Sequence, residues 1–342
     1  MKYRKNSYSG SKETVISERE KRNYDMARKA AAEGIVLIKN DGILPLDTST
    51  RVALYGSGAL YTIKGGTGSG DVNERKTVSI YEGMKDAGFK IANVTWLNEY
   101  RREYTDAREN WKQKILEIAD KTPGDPHAAF VGAYVNHKFI APYGSVANAE
   151  GEVQKDDCAF YVLSRQAGEG ADRKAVKGDY YIDDVELEHL IAIRKLYRKV
   201  VLVLNCGGQV DLQFTKQVEV DAIVYISQPG MAGGAAFADV VSGTVNPSGK
   251  LTSTWAKRYE DFPNAATFSH CNGNTSQEKY EEGIYVGYRY FDTFGVAPLL
   301  PFGFGLSYTS FDIQAGECYI QNGIDGKKNV VVNVNVTNSG DT

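Results

Sequence analysis

Four short runs of the chain are apolar at nearly every position: 51-RVALYG-56, 158-CAFYVLS-164, 200-VVLVLN-205 and 222-AIVYIS-227. Continuous runs of that length are the pattern of strands covered on both faces of a parallel sheet. Between them the period changes. In 183-DDVELEHLIAIRKLYRK-199 the apolar positions recur at helical spacing, with Leu187, Leu190, Ile191 and Leu196 expected to face the sheet. Asp183 and Glu186 have the spacing of a capping box at its start. The small apolar stretch 231-MAGGAAFADVVSG-243 predicts a helix closing at Gly243. Ser17 to Glu33 predicts another, ended by Gly34, with Ala27, Ala30 and Ala31 as its apolar positions. Strands alternating with helices predict an α/β layered domain.

The pattern breaks at 298-PLLPFGFGLSYT-309, where Pro and Gly interrupt any period, and then becomes strict alternation in 329-NVVVNVNVTNSGD-341. That alternation predicts an antiparallel strand with one face buried, ending in a turn. About thirty residues cannot close a β-sandwich, which takes on the order of 100, so the chain is expected to stop inside a second domain. The expected division is an arm at 1–17, an α/β body at 18–300, and a linker with first strands at 301–342.

Charge and composition narrow the function. Forty basic residues against 43 acidic ones exclude a polybasic nucleic-acid protein. The apolar runs fall far short of the roughly 20 residues of a membrane helix. The polar start, MKYRKNSYSGSKETVISEREK, has no apolar core of a secretory signal. Cys158, Cys206, Cys271 and Cys318 are scattered with no CxxC pair, which argues against zinc and disulfide scaffolds. The expectation is a soluble protein of a reducing cytoplasm. The many Gly and Tyr residues suit a loop-rich, polar-lined cleft.

Two glycine clusters come after strands. In 65-GGTGSGD-71, a Walker loop would need Gly-Lys-Ser/Thr, but Gly70 is followed by Asp71. The dinucleotide fingerprint would need a glycine at Tyr61, and an Asp at an anion site is unfavourable. Two readings stay open: a tight turn, or a loop whose small residues let the backbone and the Ser69 hydroxyl approach a neutral, hydroxyl-rich ligand. The second cluster, 164-SRQAGEGADRKAVKGDYY-181, leaves the end of a strand, where open α/β sheets bind ligands. Glu169 sits there between Gly168 and Gly170, with Asp172 and Arg173 close behind. The flanking glycines leave room for a substrate beside the carboxylate. The bland alternative is a solvated glutamate with a local Asp–Arg pair.

The strings 64-KGGTGSGD-71, 164-SRQAGEGADR-173, 246-NPSGKL-251, 280-YEEGIYVGYRYFD-292 and 302-FGFGLSYTSF-311, in that order, resemble glycoside hydrolase family 3, the β-glucosidase family. The likeness runs from about Ala30 to Phe311. It implies an (α/β)6 sandwich with a mostly parallel sheet, followed by the opening of a fibronectin type III-like domain. It also implies a retaining β-glucosidase that releases terminal β-D-glucosyl residues from a β-glucoside or cello-oligosaccharide, with no metal or organic cofactor. On the matching strings, Glu169 takes the place of the acid/base and Ser69 that of a substrate-binding serine. Asp172 and Arg173 fall on positions read as supports of the acid/base loop, and Tyr288, Arg289 and Asp292 on positions read as packing.

One departure is informative. The family's nucleophile is an Asp in an S-D-W string on a TIM barrel that also carries a K-H-F string, and neither string occurs here. The 137-HKF-139 segment has the wrong order, and a barrel needs about 250 residues that the chain does not hold. The expectation is therefore a protein of reversed domain order, with the barrel as a partner domain and this segment inactive alone. Oligomeric state is left open. Two rival classes are a non-catalytic carbohydrate-binding module and a nucleotide-dependent α/β enzyme using the 65–71 loop.

Overall fold

The computed structural model describes residues 13–146, 151–168, 172–323 and 326–340, with the Ser69 side chain set aside. The chain opens with helix α1 (Glu18–Gly34), capped reciprocally by Ser17 and Glu20. Its buried residue is Ala32, whereas Ala30 is exposed, because the helix turns its inner face to a later helix through Arg28. The Nε and Nη2 atoms of Arg28 each lie 2.6 Å from the Asp239 carboxylate. Strands β1 (Val36–Asn40) and β2 (Arg51–Tyr55) come next, then the short helix α2 (Ser57–Leu60), α3 (Ile80–Asp86) and the two-residue strand β3 (Lys90–Ile91).

A helical hairpin succeeds them, α4 (Val94–Lys121) and α5 (Pro126–Asn136). It is organised by aromatic rings. Trp96 stacks on Tyr100 at 5.1 Å, Tyr104 on Tyr61 at 3.6 Å, and Phe139 meets both Tyr104 and Trp111. The guanidinium of Arg108 lies 4.3 Å from the Trp111 ring and 4.8 Å from the Phe139 ring.

The core strands are β4 (Cys158–Arg165), β5 (Lys199–Cys206) and β6 (Ala222–Tyr225), with α6 (Asp184–Leu196) and α7 (Gly233–Val241) between and after them. Sheet order is β1-β6-β5-β4-β2-β3, parallel throughout except for β1, which pairs antiparallel with β6. Every expected strand is present, and their continuous apolar runs have the expected cause: Val200 through Leu204 are wholly buried. Burial pushes the thiols of Cys158 and Cys206 up to about 12, so they act as small apolar side chains. The Asp183–Glu186 capping box is formed. Leu190 is buried as expected and Ile193 joins it, while Leu187, Ile191 and Leu196 pack half-buried on the core. Helices α3 and α7 touch backbone to backbone, since a methyl on Gly83 would fall 2.0 Å from the Gly234 carbonyl oxygen.

The segment expected to be a linker is stitched to the body. Trp255 bridges to Leu300 and Leu37 to Leu306. Tyr308 donates its hydroxyl to the Val240 carbonyl and its amide to the Asn246 side chain, both at 2.9 Å. In α8 (Tyr288–Thr293) the packing residue is Phe291; Tyr288, Arg289 and Asp292, expected to pack, are exposed. Strands β7 (Phe311–Asn322) and β8 (Lys328–Asn338) then form a two-stranded antiparallel ribbon. The expected alternation is there, with Val332 opposite Cys318 and Val336 opposite Ile313. The expected burial is not: Val330 is 71% exposed, because a two-stranded ribbon has no second layer of its own. Among the described residues, no helix is long and apolar enough to cross a membrane.

Candidate active site

The order of strands locates a crevice. The chain leaving β2 goes outward to β3, while the chain leaving β4 goes the other way to β5. The carboxyl ends of β2 and β4 thus flank a switch point, where two diverging connections leave an opening in an α/β sheet. Both glycine clusters lie in the connections that start there.

The first connection leaves β2 sharply. Gly56 has φ +82°, and a methyl on it would fall 2.3 Å from the Val162 carbonyl oxygen, so only glycine lets the chain turn off so close to β4. Buried Asn205, near the end of β5, anchors the approach to the glycine loop. Its Nδ2 donates to the carbonyls of Ile63 and Ser227 at 2.9 and 2.8 Å, and its Oδ1 accepts from the Ile63 amide at 2.6 Å. Lys64 then closes the glycine loop on itself, donating to the Val72 carbonyl at 2.6 Å and to Glu74, with Asp71 3.5 Å away. Burial works against the Lys64 ammonium, but these carboxylates outweigh it and raise its pKa. Lys64 and Thr77 together lower that of Glu74. The cation of this loop is already paired with carboxylates, which disfavours a phosphate there. The Ser69 backbone lies in a 3-10 turn, Gly68–Gly70.

The second connection leaves β4 at Arg165. Glu169 itself lies outside the described residues, but the chain on either side is defined. Gln166 donates to the Gly65 carbonyl at 3.2 Å, and Gln228 to the Ala167 carbonyl at 3.2 Å. The two glycine loops are in direct contact. A methyl on Gly66 would fall 2.7 Å from the Ala167 carbonyl oxygen, and one on Gly168 2.4 Å from the Thr67 amide nitrogen. Ser69 and Glu169, far apart in sequence, therefore belong to two loops that meet backbone to backbone.

Asp172 is exposed. Arg173 is half-buried, and its ion pair is not with its neighbour but with Asp179, whose Oδ1 lies 2.6 Å from Nε. Arg173 also donates to the carbonyls of Asp179, Gly208 and Gln209 at 2.8, 3.2 and 3.0 Å. Sequence reasoning missed Arg165. Its guanidinium, 8% exposed, forms a forked pair with Glu186, 5% exposed, and donates to the Asp179 carbonyl at 2.9 Å. Nothing local marks that pair, since its partners are 21 residues apart. Among the described residues no cluster of His, Cys, Asp and Glu could hold a metal ion.

Comparison with known proteins agrees with this architecture. The family model for the glycosyl hydrolase family 3 C-terminal domain matches residues 35–288. Beta-glucosidase A of Butyrivibrio fibrisolvens is 32% identical over 93% of this chain, and a beta-glucosidase of Ruminococcus albus 32% identical over 92%. This chain covers 40% and 31% of their respective lengths. Beta-glucosidase 3B of Thermotoga neapolitana, solved with glycerol, is 34% identical and superposes with a TM-score of 0.72 over 96% of this chain and 43% of its own. A beta-glucosidase of Paenibacillus barengoltzii is 30% identical and superposes at 0.76 over 93% of this chain and 33% of its own. With its six-stranded mixed sheet and its crevice between β2 and β4, the chain belongs to glycosyl hydrolase family 3, matching that family's C-terminal domain.

Proposed function

We propose that this chain supplies the general acid/base half of a retaining β-glucosidase site, with Glu169 as the acid/base and Ser69 as a sugar contact. In this reading Asp172 and Arg173 support the Glu169 loop, and the nucleophile is an aspartate on a TIM barrel that completes the site. The α/β body is the unit at 18–300, and the β7–β8 ribbon opens a fibronectin type III-like unit at 301–342. The reading is supported by the contact of the two glycine loops at the switch point, Gly66 on Ala167 and Gly168 on Thr67. It joins a neutral, hydroxyl-bearing loop to a carboxylate-bearing one, and Lys64 of the first is already paired.

Retaining hydrolysis uses two carboxyl groups about 5–5.5 Å apart across the scissile bond. The Glu169 carboxyl would protonate the leaving oxygen while the barrel aspartate attacks the anomeric carbon. To hold its proton near neutral pH an acid needs a raised pKa, and a charged nucleophile beside it provides that. Once the glycosyl-enzyme forms, the nucleophile's charge is gone, and the same glutamate can take a proton from the hydrolytic water.

The test is Glu169→Ala in the enzyme completed by its barrel. Cellobiose, a poor leaving group, should be turned over far more slowly. Dinitrophenyl glucoside should still glycosylate the enzyme, because its phenolate departs unaided, and an initial burst should appear as the intermediate accumulates. Azide needs no base and should restore turnover, giving β-glucosyl azide. Equal loss on both substrates with no azide rescue would make Glu169 a structural loop residue. Binding of glycan without turnover by the intact assembly would favour a carbohydrate-binding module.

A further inference from the structure

Helix α4 runs past the sheet on the side where the crevice opens. Asn93, just before it, exchanges two hydrogen bonds with the Leu54 main chain at 3.0 and 2.8 Å. Trp96 meets the ring of Tyr55, the last residue of β2. Two turns on, Tyr104 lies on Tyr61, close to Ile63, which Asn205 holds near the end of β5. The helix therefore follows the direction of β2 towards the carboxyl ends that flank the switch point. The rest of α4, as far as Lys121, adds about 25 Å of helix on that side. The return segment comes back beside it, with Phe139 at Tyr104 and Ser145 at Trp96. Ile115 of α4 and Ala129 and Ala133 of α5 are buried, yet they lie outside the main core. The far half of the hairpin is a post with a small core of its own.

Helix α5, PHAAFVGAYVN, holds no Asp, Glu, Lys or Arg. Asp125 caps it, and Ala129 and Ala133, one turn apart, are its buried side, towards α4. Its other side carries Phe130, Val131, Tyr134 and Val135, which are between 41% and 60% exposed. A helix apolar on all sides is normally buried, and a contiguous apolar face in water marks a contact surface. The face is held in place: Tyr134 stands edge-on to Trp111 at 5.6 Å, and Trp111 donates its Nε1 proton to the His137 carbonyl at 2.6 Å. We propose that this face of α5 is a seat for the barrel domain that carries the nucleophile. The proposal rests on the reading of the site as one completed by a barrel. Two observations favour that occupant. The chain spans less than half the length of the relatives it matches, so in them ample further chain exists to cover such a face. A domain bringing a second carboxylate into the crevice also has to arrive over the carboxyl ends of the strands, and there it meets the post. Phe130, Val131 and Val135 offer a sugar no hydrogen-bonding group, which disfavours a glycan on this face.

The test uses the complete protein. Val135→Cys should react with a maleimide more than about tenfold slower in the native protein than in urea, read by peptide mass. A smaller difference leaves the face open to solvent and overturns the seat. Benzoylphenylalanine in place of Phe130, once irradiated, should cross-link to residues of the barrel. A cross-link to a second copy, or to residues 1–342 of the same chain, overturns it. Val131→Glu with Val135→Glu puts two carboxylates on the seat. Its kcat/KM should fall about tenfold or more on cellobiose and dinitrophenyl glucoside alike, because a displaced nucleophile fails both substrates. No loss, or a loss on one substrate only, contradicts the proposal. Should the two charges unfold the protein, the labelling and the cross-link still decide. Glu169→Ala reports separately on the acid/base. If it distinguishes the leaving groups while Val135→Cys reacts freely, only the seat is lost. If the complete protein holds no barrel, the two-part site and the seat fall together.

Discussion

Gly168 lies so close to Thr67 that a methyl in place of its hydrogen would stand 1.9 Å from the threonine hydroxyl oxygen. The contact is made between two loops and away from the buried strands. It therefore governs how the loops sit against each other more than whether the sheet forms.

Gly168→Ala should accordingly separate activity from stability. The loops must part to admit the methyl, so turnover by the complete enzyme should drop more than about tenfold. The unfolding free energy of the chain should change by less than about 2 kcal/mol. Parallel rate measurements and urea titrations check this, and a variant with unchanged rates would mean the loop contact is dispensable.

Ser69→Ala removes one neutral hydroxyl. If that hydroxyl bonds the sugar it contributes about 0.5–1.5 kcal/mol, so kcat/KM of the complete enzyme should fall roughly three- to tenfold with no change in melting temperature. Unaltered kinetics would remove Ser69 from the site.

The buried Arg165–Glu186 pair makes an asymmetric prediction for stability. Glu186→Gln can keep the helix cap but leaves a buried guanidinium without its counter-charge, which should destabilise the chain by about 3–5 kcal/mol. Replacing both partners, as Arg165→Met with Glu186→Leu, should be much milder, because no buried charge is left over. Urea unfolding of the two variants side by side decides it; a double variant worse than the single one contradicts the account.

His189 gives a pH dependence with a definite sign. It sits half-buried on α6 with its ring edge-on to Tyr161, and burial holds its pKa below the ordinary 6.5 despite Glu186 and Glu188 nearby. The unfolded chain then takes up a proton first as pH falls, so stability is lost from about pH 6.5 downward, at no more than about 1.4 kcal/mol per pH unit for one group. Above that pH both states are neutral and the effect vanishes. His189→Gln should flatten the slope between pH 7 and 5, as read by urea midpoints at a series of pH values. The Glu74 carboxylate, held low by Lys64 and Thr77, acts at more acidic pH, below its usual 4.5.

Sequence patterning made the central sheet legible because β4 and β5 are covered on both faces, which leaves little choice but apolar residues at each position. The α6 cap was legible for a local reason, the fixed spacing of Asp183 and Glu186. Strand β1 was not recognised, although 35-IVLIKN-40 is apolar at its start: it comes after α1 with no turn residue beyond Gly34. Strand β3, two residues long, carries no periodic signal. In the site, glycine spacing and family likeness marked both loops, but the network holding them did not show. Arg165 looks like an ordinary polar strand end, and its partner arrives only when α6 folds back. Asp179 acts partly through its main-chain carbonyl, which no side-chain pattern reveals. Arg173 has an acidic neighbour in sequence, Asp172, yet pairs with Asp179, six residues on, a partner that no local spacing singles out.

The pairing of Leu306 with Leu37 has a consequence for dissecting the protein. β1 is the outermost strand on its side of the sheet, and the segment around Leu306 shields it, much as a seam binding keeps cloth from fraying. Cutting the chain at 300 would leave every strand of the body in place but bare the rim at Leu37, an invitation to association between molecules. A cut after Tyr308 would keep the rim covered and retain the Tyr308 hydroxyl's bond to the Val240 carbonyl.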